Sequence, residues 1–263
     1  KFTLSRRFIQ NTFTHYNYFF NARNKLNEVL EMAKSQHVDD YTSLLSFYNY
    51  SLDVTAQYKY FLDSVIYKAT TGIVLHDLRN DWIDNLYLLT GAAYYLSKEF
   101  DSAYLTFQFI NYAFAEKEKD GYYKTIGSNR DGNTALSIST KEKNRFPRKI
   151  FSTPPSRNDA LIWMIRTRIA QKEYAEAASL IVTLKNDPWF PARLKNDLEE
   201  VQALWFYNNH TYDSAAYHLS KALGNAPTLR ERARWEFLTA QLYELGNQPA
   251  AAKSFYEKAI THT

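Results

Sequence analysis

The chain has 263 residues, a net charge of +4, no cysteine, and only seven glycines and seven prolines. The lack of cysteine excludes disulfides, zinc ribbons and thiol catalysis without identifying a compartment, and so small a charge does not by itself point to nucleic acid. Sparse glycine and proline suit long helices with short connections, and 17 Phe, 21 Tyr and 5 Trp supply ample core material. No apolar run is long enough to span a bilayer. The opening KFTLSRRF lacks the pattern of a secretory leader, which a start downstream of one would explain.

Residues 7–36 are expected to form one long helix. Phe8, Phe13, Tyr16, Phe19, Phe20, Ala22, Leu26, Val29 and Leu30 recur at spacings of three and four and predict its buried stripe. The trio Tyr16, Phe19 and Phe20 would also suit a carbohydrate or peptide platform, although such a stripe is more often core. Residues 37–49 read as irregular, with Asp39 and Asp40 assigned to turn or capping duty. A second helix is predicted over 53–69, with Val54, Tyr58, Phe61, Leu62 and Val65 inward and Gly72 ending the segment. Asn80–Asp81 would start the next helix.

The stretch 84–114 reads as a helix, a tight turn and a second helix. Gly91, Tyr94, Phe100, Ala103, Phe107 and Ile110 fall where a tetratricopeptide unit places its small and aromatic residues. Gly91 and Ala103 would be small because the helices cross there, and Phe100 would plug the turn. Comparable stretches follow at 158–187, 196–227 and 233–263. Their marker alanines, Ala177, Ala215 and Ala252, lie 38 and 37 residues apart. In the first of these, Ile165 and Arg168 stand where Gly91 and Tyr94 stood. Pro227 closes the next, where such a unit places proline. From Ala103 to Ala177 the gap is 74 residues, which would hold one more unit. Gly121, Gly127, Gly132, Pro147, Pro154 and Pro155 instead mark 120–157 as an inserted loop. Between Glu116 and Arg157 there are ten basic and five acidic residues, a surplus larger than the net charge of the whole chain.

The predicted fold is all-α: a right-handed tetratricopeptide superhelix of about ten helices. Residues 1–80 would form an N-terminal helical cap, and 81–263 the solenoid carrying the basic loop. By register, the concave face would present Asn85, Ala92, Tyr95, Arg166, Tyr207, Asn208, Arg234, Gln241 and Glu244. That mixture suits peptide recognition, and a solvated face would have the same composition. The loop cations Arg130, Lys141, Lys143, Arg145, Arg148 and Lys149 form a second candidate contact site, for an acidic partner or an anionic surface. Few aromatics are interleaved with them, so nucleic acid is the least supported partner.

Catalytic and ligand motifs are missing. The sequence has no HExxH, GxSxG, phosphate-cradling GxxxxGK[ST] or dinucleotide-type GxGxxG. His210 and His218 read as partly exposed helix residues with no third ligand for a metal. Arg130–Asn133 lacks the further oxygens of a calcium loop. No catalytic residue, metal or cofactor is therefore expected.

Several stretches outside the repeat positions occur in order: HYNYFFNA (15–22), DDYTSLL (39–45), DWIDNLYLLTGAAYY (81–95), IGSNRDGN (126–133), STKEK (139–143) and PPSRNDALIW (154–163). Together they resemble the N-terminal region of the PorW/SprE-type tetratricopeptide lipoproteins of Bacteroidota, which serve type IX secretion and gliding. The resemblance spans roughly residues 10–260. It implies a non-enzymatic periplasmic adaptor, lipid-tethered to the outer membrane, that connects the motor ring to the translocon and takes no substrate or cofactor. The family's lipidated cysteine is absent here and its chains are longer, so the resemblance implies one N-terminal domain. A glycan-capturing outer-membrane lipoprotein of the SusD type, also built on tetratricopeptide helices, is the alternative, and an exposed Trp/Tyr cluster would distinguish it. An enzyme would require the loop to close over converging carboxylates.

Overall fold

The structure is a computed structural model, and it describes residues 3–115, 138–142 and 155–262. Its regular elements are helices, with no strand among the described residues. Two compact units are built from interleaved stretches of chain. The first comprises Lys1–His37, Tyr50–Thr167 and Asp187–Trp189; the second comprises Val38–Asn49, Arg168–Asn186 and Phe190–Thr263.

In the first unit, α1 (Leu4–Phe13) begins at Thr3, whose hydroxyl accepts from the Arg6 N–H. A π-helical run, Thr14–Phe19, leads without a break into α2 (Phe20–Gln36). The long helix expected from the pattern is present, but much of its predicted stripe is not core. Phe8 is 70% exposed and Tyr16 62%, and Phe13 and Phe20 are exposed as well. Thr14, Ala22, Leu26, Val29 and Ala33 are buried instead. The cause is the π run: each i→i+5 turn takes up an extra residue, worth roughly 100° of rotation, so one period of 3.6 cannot be carried through it. Downstream of the run, Ala22, Leu26 and Val29 keep the expected phase.

Ser51 caps α3 (Leu52–Gln57) by accepting from the Val54 N–H. Tyr58 breaks the helical path before α4 (Lys59–Leu75). Gly72 does not end this helix, as the sequence suggested, but lies inside it. A Cβ there would meet Leu86 Cδ1 and Tyr18 Cβ at 2.8 Å, so the residue is small because neighbouring side chains pack onto the backbone. Around it, Ala69, Ile73, Ile83 and Leu86 form a core with Tyr18, Phe19, Tyr87 and Phe114 against them. Asn80 accepts from the Trp82 N–H and donates to Thr14 Oγ1, fixing the entry to α5 (Ile83–Leu96). Helix α5 packs on α4 and on α6 (Phe100–Ala113). Gly91 is the crossing residue of this hairpin, since its missing Cβ would lie 2.4 Å from the Phe107 ring. Helix α7 starts at Arg157, the last residue assigned to the inserted loop, and runs to Ala170. Its Trp163 stacks on Phe107 at 5.7 Å and meets Tyr95 edge-on at 5.4 Å.

The second unit holds α8 (Tyr174–Lys185), α9 (Lys195–Asn208), α10 (Tyr212–Ala222), α11 (Leu229–Leu245) and α12 (Pro249–Thr261). Each packs on its neighbour in sequence. Thr228 caps α11 by accepting from the Glu231 N–H, and Pro249 opens α12, where its missing N–H costs nothing.

Four turns share one backbone geometry. Lys98, Lys172, His210 and Asn247 all have positive φ, between 57° and 66°. The following N–H reaches back five residues each time: Glu99 to Tyr94 O, Glu173 to Arg168 O, Thr211 to Phe206 O and Gln248 to Tyr243 O, at 2.8–3.0 Å. These are Schellman-type closures, with a left-handed residue ending one helix and the next helix starting at once. Five residues after each left-handed position comes a buried alanine: Ala103, Ala177, Ala215 and Ala252. Each marker alanine therefore follows a turn of the same geometry. His210 belongs to one of these turns and not to a helix.

Candidate functional site

The second unit contains a groove face filled by the chain itself. Glu200 and Tyr207 lie seven residues apart on α9, and Arg234 and Gln241 seven apart on α11, so each pair shares one side of its helix. Against them lies Val38–Asn49, which has neither helix nor strand. Gln241 binds it at two points, accepting from the Leu45 N–H at 3.0 Å and donating to the Ser43 carbonyl at 2.7 Å. The Tyr207 hydroxyl donates to the Leu45 carbonyl at 2.9 Å. Arg234 grips the Asp39 carboxylate through Nε and a terminal nitrogen at 2.8–3.0 Å. The same guanidinium donates to the carbonyls of Ser46 at 2.8 Å and Phe47 at 3.2 Å.

Side chains of the segment complete the fit. Leu45 and Phe47 are 2% and 4% exposed. The Phe47 ring meets Tyr207 edge-on at 5.6 Å and Trp235 at 6.2 Å. The Tyr48 hydroxyl donates to Glu200 at 2.8 Å, and Asn225 donates to the other Glu200 oxygen at 2.9 Å. Asp40 keeps the turn role expected of it: its carboxylate accepts from the Thr42 N–H and hydroxyl, which lowers its pKa. Asp39 does not share that role, being the partner of a buried arginine. Burial pushes the Tyr207 phenol above its ordinary range, so it remains a donor at neutral pH.

Of the other residues expected on a concave face, Asn208 donates back to the Leu204 carbonyl and Glu244 accepts from the Tyr256 hydroxyl. Neither is recorded bonding to the segment. In the first unit Tyr95 is buried against Phe100 and Trp163, Ala92 is buried, and Arg166 lies over the Trp163 ring at 4.9 Å. Asn85 donates to Ser156 Oγ at 2.6 Å. Among the basic residues of the inserted loop, Lys141 is exposed. Arg130, Lys143, Arg145, Arg148 and Lys149 lie outside the described residues, as does the turn at 130–133.

The sequence reading missed Asp39, Glu200 and the segment itself as site components. Two signals were present. Leu45 and Phe47 are apolar residues in an irregular stretch, and Glu200 lies two helical turns from Tyr207 on the same side of its helix, beside Ala203 and Leu204.

The first unit carries a polar network that joins three of the non-repeat stretches. Asp84 accepts from the Ser156 N–H at 2.7 Å and the Asn85 N–H at 2.9 Å. Burial, more than these hydrogen bonds can offset, pushes its carboxyl up to about 6. Asn158 accepts from the Thr140 N–H and donates to the Thr140 carbonyl and to Glu142. Arg157 donates to Thr140 Oγ1 and the Asn111 carbonyl. The Asp187 carboxylate accepts from the N–H groups of Ile138, Ser139 and Trp189. Residues 138–142 are thus fastened to helix ends by buried carboxylates and amides.

His218 is buried, contrary to the expectation of partial exposure. It stacks on Phe206 and bonds Glu199 at 2.6 Å, and burial lowers its pKa more than Glu199 raises it. No group of three metal-ligating side chains occurs among the described residues, and no helix among them is long and apolar enough to cross a membrane.

No family model matches the chain, and no curated protein does. A solved structure that matches is the crystal structure of BtubC (BKLC) from P. vanneervenii. It is 9% identical, with a TM-score of 0.50, over 93% of this chain and 89% of that one. At that identity the likeness concerns the fold alone.

Proposed function

We propose that this chain is a non-enzymatic protein-interaction scaffold built as a right-handed tetratricopeptide superhelix, in which inner-helix faces hold extended peptide. The observation that carries the reading is the second-unit groove, where Gln241, Tyr207 and Arg234 bond the backbone of Val38–Asn49. Side chains that satisfy another segment's backbone bind peptides largely regardless of sequence. The four alike turns, with a marker alanine after each, support the tetratricopeptide assignment.

Within that class, the resemblance to PorW/SprE-type lipoproteins favours a periplasmic adaptor, tethered to the outer membrane by a lipid, linking the motor ring to the translocon for type IX secretion and gliding. Three of the stretches behind that resemblance, at 81–95, 139–143 and 154–163, meet in the first-unit network of Asp84, Ser156, Asn158 and Thr140. The basic surplus of residues 116–157 gives a second, charge-driven contact for an acidic partner protein. A SusD-type glycan-capturing lipoprotein is the other reading. The exposed aromatics Tyr16, Phe20, Tyr60 and Tyr67 favour it, because sugars stack on open rings. Against it, all five tryptophans are half-buried.

The test is cross-linking and affinity capture from a solubilised Bacteroidota envelope, with this chain as bait. The adaptor reading predicts recovery of motor-ring or translocon subunits. Loss of that recovery on charge reversal of Lys141, Lys143, Arg145, Arg148 and Lys149 would assign the contact to the basic loop. Recovery of glycan-uptake components alone would favour the second reading.

A further inference from the structure

We infer that the second-unit groove is a binding site for an extended peptide of a partner protein, and that Val38–Asn49 is a built-in occupant which such a peptide displaces. The inference rests on the scaffold reading, but on no particular secretion system. The occupant's contacts define the ligand. It is a non-helical segment, turned at residues 40–43, with a carboxylate side chain, and eight residues later an aromatic ring followed by a phenol, as in Asp39, Phe47 and Tyr48.

Three observations support exchange over a fixed structural role. First, the groove addresses backbone. Gln241 reads one N–H and one carbonyl, Tyr207 one carbonyl, and Arg234 the carbonyls of Ser46 and Phe47. Any extended chain offers the same groups. Second, half of the segment's residues lie open to solvent. Of its twelve residues only Leu45 and Phe47 are buried, while Val38, Asp40, Tyr41, Thr42, Ser43 and Ser46 are exposed. Third, the groove selects an acidic occupant. Arg234 is 6% exposed, and a charge so enclosed needs a carboxylate beside it. The bonds of Arg234 run to Asp39, Ser46, Phe47 and Tyr48, so the segment itself helps to enclose that cation, and any occupant that encloses it again must bring a carboxylate.

Tethering sets the threshold for exchange. Both ends of the segment continue into the first unit, at His37 and Tyr50. A tethered occupant competes at an effective concentration of roughly millimolar. A free peptide of the same sequence therefore binds the native chain weakly. A partner already held at a second contact gains the same advantage as the tether and displaces the segment.

The probe is a fluorescent peptide of residues 38–49, VDDYTSLLSFYN, titrated into the whole chain and followed by anisotropy. In the variant Asp39→Asn/Phe47→Ala, whose own segment is weakened, binding is expected at least tenfold tighter than in the native chain. Adding Gln241→Ala to that background should weaken it at least tenfold, and so should Asp39→Asn in the peptide alone. Equal binding to all forms, or none to a folded weakened variant, overturns the inference. A weakened variant that dimerises without taking up peptide overturns it too, since the groove then serves a second copy. If the double variant does not fold, hydrogen exchange on the native chain decides. Excess peptide must accelerate exchange of the Leu45 amide, and an unchanged rate at saturating peptide rejects displacement. Envelope capture that recovers no secretion subunit would leave this result untouched, which keeps the two failures distinct.

Discussion

Gly91 sits where α5 crosses α6, with the Phe107 ring in the space a side chain would need. The Gly91→Ala substitution improves helix propensity by close to 1 kcal/mol, yet overpacking at a tight crossing costs about 1–3 kcal/mol. A Cβ at 2.4 Å from ring carbons makes the second effect the larger. Chemical denaturation should therefore show net destabilisation, partly recovered when Phe107→Leu frees the space. Asp84 gives a pH signature from the same hairpin. Its folded pKa lies near 6, above the unfolded value, so the native state holds the extra proton between about pH 4 and 6. Stability contributed by that proton is present below pH 4 and is lost as pH rises through 6. The loss is on the order of 2–3 kcal/mol, and Asp84→Asn should flatten that part of the stability–pH curve.

At the scale of elements, the turns explain how much of the repeat was legible. A left-handed residue, a five-residue closure and a buried alanine form one local unit, so the marker alanines located these four turns. Lys98, Lys172, His210 and Asn247 were not themselves legible, because none is glycine. A non-glycine residue there carries strain of about 1–2 kcal/mol, part of which glycine would give back as lost chain entropy. Lys172→Gly should accordingly raise stability by roughly 0.5–1 kcal/mol, seen as a higher denaturation midpoint with an unchanged slope. Elements failed to read correctly where local period was broken. The π run at Thr14–Phe19 put Phe8, Phe13, Tyr16 and Phe20 outward although their spacing resembled a core stripe. Gly72 read as a terminator because a packing glycine and a stopping glycine are identical in sequence.

For the molecule as a whole, the chain visits the second unit first as Val38–Asn49, returns to the first, and comes back at Arg168. That routing separates Asp39 from Arg234 by 195 residues, and no local pattern announces so distant a pairing. Register alone placed Tyr207, Arg234 and Gln241 on one working face, because helical spacing is a local property. What occupies that face was hidden, since an irregular segment has no period to read. The charge surplus of residues 116–157 was plain from composition, and it makes any contact there sensitive to salt, with binding weakening as ionic strength rises. The central claim concerns the groove, and residue-resolved hydrogen exchange of the whole native chain tests it most directly. The Leu45 amide, bonded to Gln241 Oε1, should exchange far more slowly than in the free peptide of residues 38–49. Gln241→Ala should abolish that protection while leaving the amides of α5 and α6 protected. A Leu45 amide that exchanges in the native chain as fast as in the free peptide would contradict the account.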